Sequence, residues 1–426
     1  MSSTSRAPPV EAGVFEKFHL KSGNGAQLVN AQGRVYSTKY SLEPSGIQAD
    51  DVIYGIKMAH MSCTDDSEGR LSGSGANTLE ALRHIVGGEK GEEEIRKPLS
   101  TLLKDHFDLT MDCWIDESGL KKGRAVDTQG FIASNDDTIV LSYRFSTSLL
   151  DWVTNLSMTT SEWEPNQDAL IGHAGFCSCF DGWVYKALGK GKPRVHTGFY
   201  NNFIYTIPHI QRHIVDKIKD PNDLNKKKIY ICGCSLGAAI ATMAFCYLLL
   251  ELPWETLPHK LISVTAGCPR VCDRVMHKTI MDRLEELRPY DRAVLCRCVY
   301  NEDLVPHIPF NVAGFIHLDK LVYITKEGDV LVNPKLRGTK NFSELKRVFT
   351  SFWQEKKRKK AEATTTKTTN GAESESQEAK TPFQKEVEST PGPIKDHMPY
   401  WYLTFMERLK EREEAQVGEP SQRVIL

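Results

Sequence analysis

The sequence has no surplus of charge of either sign. It holds 54 Lys+Arg against 55 Asp+Glu in 426 residues, which leaves a formal net charge of −1. A chain without strong net charge has no general attraction to the phosphates of nucleic acid. We therefore expect no nucleic-acid partner.

Long apolar runs are also absent. A membrane-spanning helix needs about 18 or more consecutive apolar residues, and the most apolar stretch, residues 238–252, is shorter. Residues 1–13 contain no apolar run of the kind found in secretory signal peptides. We expect a cytoplasmic protein whose membrane contact is peripheral, at a lipid interface. The serine-rich start leaves organellar transit as an open alternative.

The cysteines lack the features of a disulfide framework or a zinc site. Their number is 11, and an odd count in a long chain favours reduced thiols. Three C-x-C pairs occur, at 177/179, 232/234 and 296/298, whereas zinc ribbons need two C-x2-C pairs. We therefore expect no metal site.

What the chain does contain, from residue 138 onward, is an alternation of short β-branched runs with longer periodic runs. This alternation is typical of an α/β fold with a mostly parallel sheet. Strands are predicted at 138–143, 228–233, 261–266, 293–300 and 321–325. Helices are predicted between them, at 198–218, 236–250 and 274–287.

The regions outside this alternation differ from it in composition. Residues 1–125 hold helical segments, including 50–61 and 94–107, and we predict an N-terminal helical extension of unassigned role. Residues 126–354 form the predicted α/β domain. Few large apolar side chains occur at 355–395, which predicts a disordered insertion. An apolar run then predicts a packed segment at 396–412, followed by a tail at 413–426.

A candidate nucleophile lies in Gly233-Cys234-Ser235-Leu236-Gly237. A predicted strand precedes this segment and a helix rich in small residues follows it. A Gly-x-Ser-x-Gly motif presents a nucleophilic serine in this strand–turn–helix context. The glycines are needed because side chains on either side of so sharp a turn would collide with the neighbouring strand and helix.

A serine hydroxyl also needs a histidine that takes its proton and a carboxylate that orients the histidine. In α/β-hydrolases both follow the serine in the chain, the carboxylate first. Asp303 lies just past a predicted strand end, and Glu302 is the rival carboxylate. The histidines that follow are His307, His317 and His397. Chain order alone does not choose among them.

Five ordered motifs resemble the class 3 lipases, the fungal-type triacylglycerol lipases, across about residues 130–345 and again at 390–405. Besides the segment around Ser235, they are Leu141-Ser-Tyr143-Arg144-Phe145-Ser146 with Asp151-Trp152, Val195-His196-Thr-Gly198-Phe199, Ala266-Gly267-Cys-Pro269-Arg270-Val271 and Asn301-Glu-Asp303-Leu-Val-Pro306. The resemblance implies an α/β-hydrolase, with a mostly parallel central sheet flanked by helices and no cofactor.

The resemblance also implies roles for individual residues. The family's catalytic histidine lies in a late Asp-His dipeptide followed by an aromatic residue. This matches Asp396-His397-Met-Pro-Tyr400, so His397 is the predicted base and His317 the alternative. The predicted oxyanion donors are the backbone N–H of Leu236 and Ser146.

This sequence departs from the family pattern at two positions. Phe145 stands where the family has a small glycine, and Cys234 replaces the usual histidine before the nucleophile. Phe145 raises the question of whether the oxyanion hole is intact. Cys234 is interpreted as a buried structural thiol in preference to a reactive one.

Residues 148–156 have amphipathic spacing, which fits either a lid helix over an acyl pocket or a packed core helix. The function expected from the resemblance is a serine esterase or lipase that hydrolyses fatty-acyl esters through an acyl-enzyme on Ser235. Acylglycerols are the first expected substrate, and phospholipids or galactolipids come next. The alternative is a hydrolase-fold interaction or regulatory protein without catalysis.

Overall fold

The computed structural model describes residues 19–21, 27–29, 35–37, 48–63, 76–86, 94–121, 124–145, 159–166, 191–220, 225–309, 314–318, 321–326, 330–332, 395–398, 400–404 and 406–407.

A central sheet of eight strands organises the described part of the chain. Two smaller antiparallel sheets accompany it, one made of β1 (His19–Lys21), β2 (Gln27–Val29) and β3 (Val35–Ser37), and one made of β7 (Thr160–Glu162) and β8 (Arg194–His196). The central strands are β4 (Thr110–Lys121), β5 (Arg124–Ser134), β6 (Thr138–Tyr143), β9 (Lys228–Cys234), β10 (Lys260–Ala266), β11 (Ala293–Tyr300), β12 (Leu321–Ile324) and β13 (Val330–Val332).

The spatial order of the central sheet is β13-β12-β11-β10-β9-β6-β5-β4. The five strands from β12 to β6 run parallel, and the antiparallel strands lie at the two edges. The carboxyl ends of β9, β10 and β11 therefore meet at one edge of the sheet. Open α/β sheets place functional groups at such an edge.

Helices cover both faces of the sheet. They are α1 (Ala49–Met61), α2 (Ala76–Val86), α3 (Leu99–Phe107), α4 (Thr197–Ile204), α5 (Ile207–Ile210), α6 (Leu236–Glu251) and α7 (Arg274–Leu287). The chain continues from α5 through a π-helical turn, Gln211–Val215, and a last short helical piece, Asp216–Ile218.

Side chains alternate between the two sheet faces with the two-residue period of a strand. On β9, Ile229 and Ile231 face a core shared with α4 to α7, whereas Tyr230 and Cys232 face a core shared with α1 to α3. The contact between α1 and β10 is especially close, since a Cβ at Gly55 would lie 2.4 Å from Cβ of Val264. Each face of the sheet thus has its own packed layer.

The predicted α/β-hydrolase architecture is confirmed, with a mostly parallel sheet flanked by helices on both faces. The five predicted strands and the helices at 236–250 and 274–287 are observed with ends shifted by at most one residue. The helix predicted at 198–218 is interrupted after Ile204. Pro208 accounts for the break, because a proline ring clashes with the carbonyl four residues earlier and lacks an N–H.

The N-terminal boundary predicted between residues 125 and 126 falls next to the start of β5. Because β4 and β5 pair along their whole length, the chain before residue 126 contributes a strand to the sheet. Helices α1 to α3 lie in the core of one sheet face. The segment predicted at 355–395 lies outside the described residues except for Lys395. In the described ranges, no helix combines the length and apolar character required to cross a membrane.

Candidate active site

Ser235 lies in a sharp turn between β9 and α6. Its backbone has φ 56° and ψ −122°, a conformation that residues other than glycine rarely adopt. A Cβ at Gly233 would lie 2.3 Å from the carbonyl oxygen of Gly237, and a Cβ at Gly237 would lie 2.3 Å from that of Tyr143. Both glycines are therefore required by close backbone contacts.

Asp303 follows β11 and is fully buried. Its Oδ1 accepts a hydrogen bond from the backbone N–H of Val305 at 2.9 Å. Its Oδ2 accepts from Nδ1 of His397 at 2.8 Å and from the hydroxyl of Tyr402. A buried carboxylate with these donors is satisfied and fixed in orientation.

The bond to Asp303 also determines the tautomer of His397. Because Nδ1 donates its proton to the carboxylate, Nε2 is left as the basic nitrogen. A Cβ at Gly267, which has φ 60°, would lie 2.6 Å from Cε1 of His397. Only glycine at the end of β10 leaves room for this imidazole.

The chain brings Ser235 to the same sheet edge. Its backbone N–H donates to the carbonyl of Ala266, the residue before Gly267, at 3.0 Å. The Ser235 hydroxyl and Nε2 of His397 are both buried and find no hydrogen-bond partner within the described structure. These are the two groups between which a proton would pass, and catalytic hydrogen bonds often tighten only when substrate binds.

The rival residues occupy other positions. Nε2 of His317 donates to the carbonyl of Pro306 at 2.6 Å. Burial, together with the charges of Arg297 and Arg270, lowers the pKa of His317 well below its usual range. The side chain of Glu302 is exposed, and its backbone N–H donates to Asp396. Asp303 and His397, the predicted acid and base, are hydrogen-bonded to each other.

Three residues of the site had no predicted role. Tyr402 donates a hydrogen bond to Asp303, and Gly267 leaves room for the imidazole of His397. Asp396 connects the loop that follows β11 to the segment that carries His397. The Asp396 carboxylate accepts from Nδ2 of Asn301 at 2.9 Å and from the N–H of Glu302 at 3.2 Å. Burial, reinforced by the charge of Asp303, raises the pKa of Asp396 to about 7. Gly267 and Asp396 belong to motifs that the sequence presents, whereas nothing in the sequence distinguishes Tyr402 from Tyr400.

The predicted oxyanion donors are only partly described. Leu236 is the first residue of α6, where backbone N–H groups have no partner inside the helix. Ser146 and the segment 148–156 lie outside the described residues. Phe145 is half-buried and packs against the core that includes α1.

The described cysteines are all free thiols. Burial raises the pKa of Cys234 far above its usual value, so Cys234 is a buried structural thiol. The sulfurs of Cys296 and Cys298 are 3.9 Å apart and not bonded to each other. Over the described ranges, no group of three His, Cys, Asp or Glu side chains could hold a metal ion. Cys177 and Cys179 lie outside those ranges.

Comparison with known proteins finds a family match that includes Ser235 and Asp303. Residues 140–313 match the family described as lipase (class 3), which confirms the recognised resemblance. The lipase of Rhizomucor miehei is 25% identical over 202 residues, covering 47% of this chain and 46% of the relative. The lipase of Rhizopus niveus is 27% identical over 194 residues, covering 45% of this chain and 40% of the relative. The chain thus spans less than half the length of these curated relatives.

Among solved structures, the mono- and diacylglycerol lipase from Aspergillus oryzae superposes with a TM-score of 0.43 at 20% identity. The superposition covers 70% of this chain and 88% of that chain.

Proposed function

We propose that this chain, which matches the class 3 lipase family over residues 140–313, is a serine hydrolase that cleaves fatty-acyl carboxylic esters through an acyl-enzyme on Ser235. The observation that carries the proposal is the buried Asp303–His397 pair beside a serine held in a strained turn. Strain of this kind is concentrated at functional sites.

In the proposed reaction, Nε2 of His397 takes the Ser235 proton while Oγ attacks the ester carbonyl. Asp303 holds the Nδ1 proton and stabilises the imidazolium that forms. The backbone N–H of Leu236 and Ser146 would stabilise the negative oxygen of the tetrahedral intermediate. His397 then gives its proton to the leaving alcohol, and water repeats the sequence on the acyl-enzyme.

The nucleophile is tested by covalent labelling with a fluorophosphonate. Wild type should label, since the reaction needs a base-activated serine, and Ser235→Ala should not. His397→Ala should lower kcat by several orders of magnitude, in line with the loss of a triad member, while His317→Ala should remain active. Loss of activity in a folded His317→Ala variant, with His397→Ala active, would overturn the assignment.

The same labelling separates catalysis from the alternative of a non-catalytic hydrolase-fold protein. That alternative is favoured by one observation: the Ser235 hydroxyl and Nε2 of His397 are not hydrogen-bonded to each other in the described structure. Folded wild type that fails to label would support it.

Acylglycerols are the proposed first substrate class, with phospholipids and galactolipids next, because each presents the same scissile carboxyl ester. A panel of these lipids, each offered as monomers and as dispersions, measures the preference. If residues 148–156 cover the pocket, activity should rise sharply above the solubility limit of the substrate. A smooth hyperbolic curve through that limit would contradict the lid and the proposed lipid-interface contact.

A cytoplasmic location is proposed because the nine cysteines within the described residues are all free thiols, eight of them buried. Fractionation of cells that express the chain tests this location, and recovery in the secreted fraction would contradict it.

A further inference from the structure

A second set of nucleophile, base and carboxylate lies outside the site of Ser235. It is formed between the edge hairpin β4–β5 and helix α5. The sulfur of Cys113 on β4 is 3.3 Å from Nδ1 of His209 on α5. Nε2 of the same imidazole is 2.8 Å from Oε1 of Glu117, also on β4. Cys113 and Glu117 are four residues apart on one strand, so their side chains lie on the same sheet face.

The hydrogen bonds determine which nitrogen is basic. A carboxylate only accepts, so Nε2 of His209 must carry the proton shared with Glu117. Nδ1 is then the acceptor that faces the thiol of Cys113. This is the order of nucleophile, base and orienting acid that activates hydroxyl and thiol nucleophiles in enzymes.

Burial keeps the resting pair neutral. Burial and the ammonium of Lys121, which is ion-paired with Glu117, lower the pKa of His209. Burial, opposed by the charge of Arg212, raises the pKa of Cys113. At neutral pH the site therefore holds a thiol next to an unprotonated imidazole. Other charged or titratable groups nearby are Asp112 on β4, its ion-pair partner Lys217, and His213 beside Arg212.

The site is partly exposed to solvent. The side chain of His209 is 26% exposed, and Cys113 is half-buried while the other eight described cysteines are buried. His209 lies two residues before the π-helical turn Gln211–Val215. Such turns occur frequently at functional sites.

We propose that Cys113, His209 and Glu117 form a second nucleophilic site, in which His209 takes the thiol proton and Cys113 reduces hydroperoxides. The sulfur attacks the terminal oxygen of R–O–OH, the O–O bond breaks, and the sulfur is oxidised by two electrons to a sulfenic acid. The proton taken by His209 passes to the leaving alkoxide, which departs as the alcohol. One hydroperoxide is consumed for each thiol.

The surroundings of the sulfur favour peroxides over esters as the substrate class. The carbonyl oxygen of Trp114 lies 3.3 Å from Sγ of Cys113 and accepts a hydrogen bond from the thiol, whose proton can turn from there to Nδ1 of His209 at the same distance. An acyl transfer would develop negative charge on an oxygen next to the sulfur, and a neighbouring carbonyl would repel that charge. Displacement on an O–O bond needs only the thiolate and an acid for the departing oxygen.

Oxidation of the full chain by hydrogen peroxide tests the proposal. The sulfenic acid is trapped with a dimedone probe, and the Cys113 peptide is quantified by mass spectrometry from pH 6 to 9.5. His209→Gln should slow Cys113 oxidation at pH 7 by about 100-fold, the lower end of what a positioned general base contributes. The difference in rate between wild type and His209→Gln should narrow at high pH, where the thiol ionises without a general base. Glu117→Gln should slow the reaction less.

Cys113→Ser identifies the trapped residue, and His213→Gln serves as the matched control, expected to react like wild type. Thermal unfolding reports whether each variant is folded. A His209→Gln rate within a factor of two of wild type at pH 7, or a probe adduct that persists in Cys113→Ser as the main product, would overturn the proposal.

The wild-type pH profile is a second test that requires no variant. With a neutral imidazole as base, the rate should be nearly flat around pH 7 to 8. Without that base, the rate should rise about tenfold per pH unit up to the raised pKa of the thiol, because only the thiolate reacts. A tenfold rise per unit would contradict the role of His209.

Discussion

Asp303 is the residue at which distant parts of the chain meet. One of its oxygens is bound by its own loop through Val305, and the other is bound by two side chains of the C-terminal segment, His397 and Tyr402. The carboxylate is fully buried, so each of these donors offsets part of the cost of removing its charge from water.

Tyr402→Phe should lower kcat with little change in KM. The phenol contacts the carboxylate that orients His397 and does not reach the ester, so it acts as a positioning residue. A hydrogen bond to a charged group is worth about 1.5–3 kcal/mol, which corresponds to at least about a tenfold loss of rate if the bond is fully used in the transition state. Steady-state kinetics measure it, with the half-exposed Tyr290→Phe as control. An unchanged kcat would show that Asp303 is held without the phenol.

Asp396 predicts a pH dependence of stability. Its raised pKa of about 7 means that the folded chain binds this proton more tightly than the unfolded chain. The stabilisation is complete below the unfolded carboxyl pKa of about 3.9 and is lost as pH rises through the folded value. Asp396→Asn cannot ionise and keeps an oxygen that accepts from Glu302. The stability advantage of Asp396→Asn over wild type should grow from pH 5.5 to about 7 and level off above the folded pKa.

Chemical denaturation at four pH values across this range measures the difference. Asp291→Asn is the control, because the Asp291 carboxylate is exposed and paired with Lys260 on the surface. A difference between wild type and Asp396→Asn that stays constant with pH would contradict the prediction.

At the scale of elements, the strand–turn–helix around Ser235 depends on backbone contacts that admit no side chain. Gly237 lies at the start of α6 and is pressed against the end of β6, with the carbonyl oxygens of Tyr143 and Arg144 at 2.3 and 2.6 Å from a would-be Cβ. The turn therefore aligns α6 with two strands at once.

Gly237→Ala should destabilise the fold by about 1–3 kcal/mol or more, since overpacking forces backbone shifts. The labelling rate should fall by more than the loss of folded protein accounts for, because Ser235 moves with the helix. Gly198→Ala is the control, since its Cβ would meet only the end of the His196 ring at 3.1 Å. Thermal unfolding and fluorophosphonate labelling measure the two effects. A Gly237→Ala chain that labels at the wild-type rate would show that the turn adapts.

At the scale of the whole molecule, the N-terminal helices hold the segment that carries His397. Tyr402, Leu403 and Met406 are buried in the same core as α1 to α3. Glu407 forms an ion pair with Lys57 of α1 at 2.9 Å and contacts His84 of α2. Helices α1 to α3 and the C-terminal segment that carries His397 thus cover one sheet face together.

A chain that begins at residue 126 should not fold. It would lack β4 and α1 to α3, which leaves the apolar face of β9 and β10 in water and the His397 segment without its support. Solubility, cooperative melting and covalent labelling measure the outcome. A chain shortened within residues 361–385 is the control, expected to fold because closure entropy depends weakly on loop length. Cooperative melting and labelling of chain 126–426 would contradict this.

The resemblance to the class 3 lipases chose His397 among the histidines. The sequence by its own patterns determined the parallel strands and the Ser235 turn, and it placed Asp303, with Glu302 as its rival, after a strand end. These follow from local patterns, since strands alternate with helices and a Gly-x-Ser-x-Gly turn needs its flanking elements. Only the tertiary structure decided the role of the first 125 residues, because β4 and α1 to α3 are defined by what they pack against. The same reason applies to Tyr402, Asp396 and the Cys113–His209 contact, which joins residues 96 positions apart. No local pattern encodes such a distance, and packing on a shared sheet determines it.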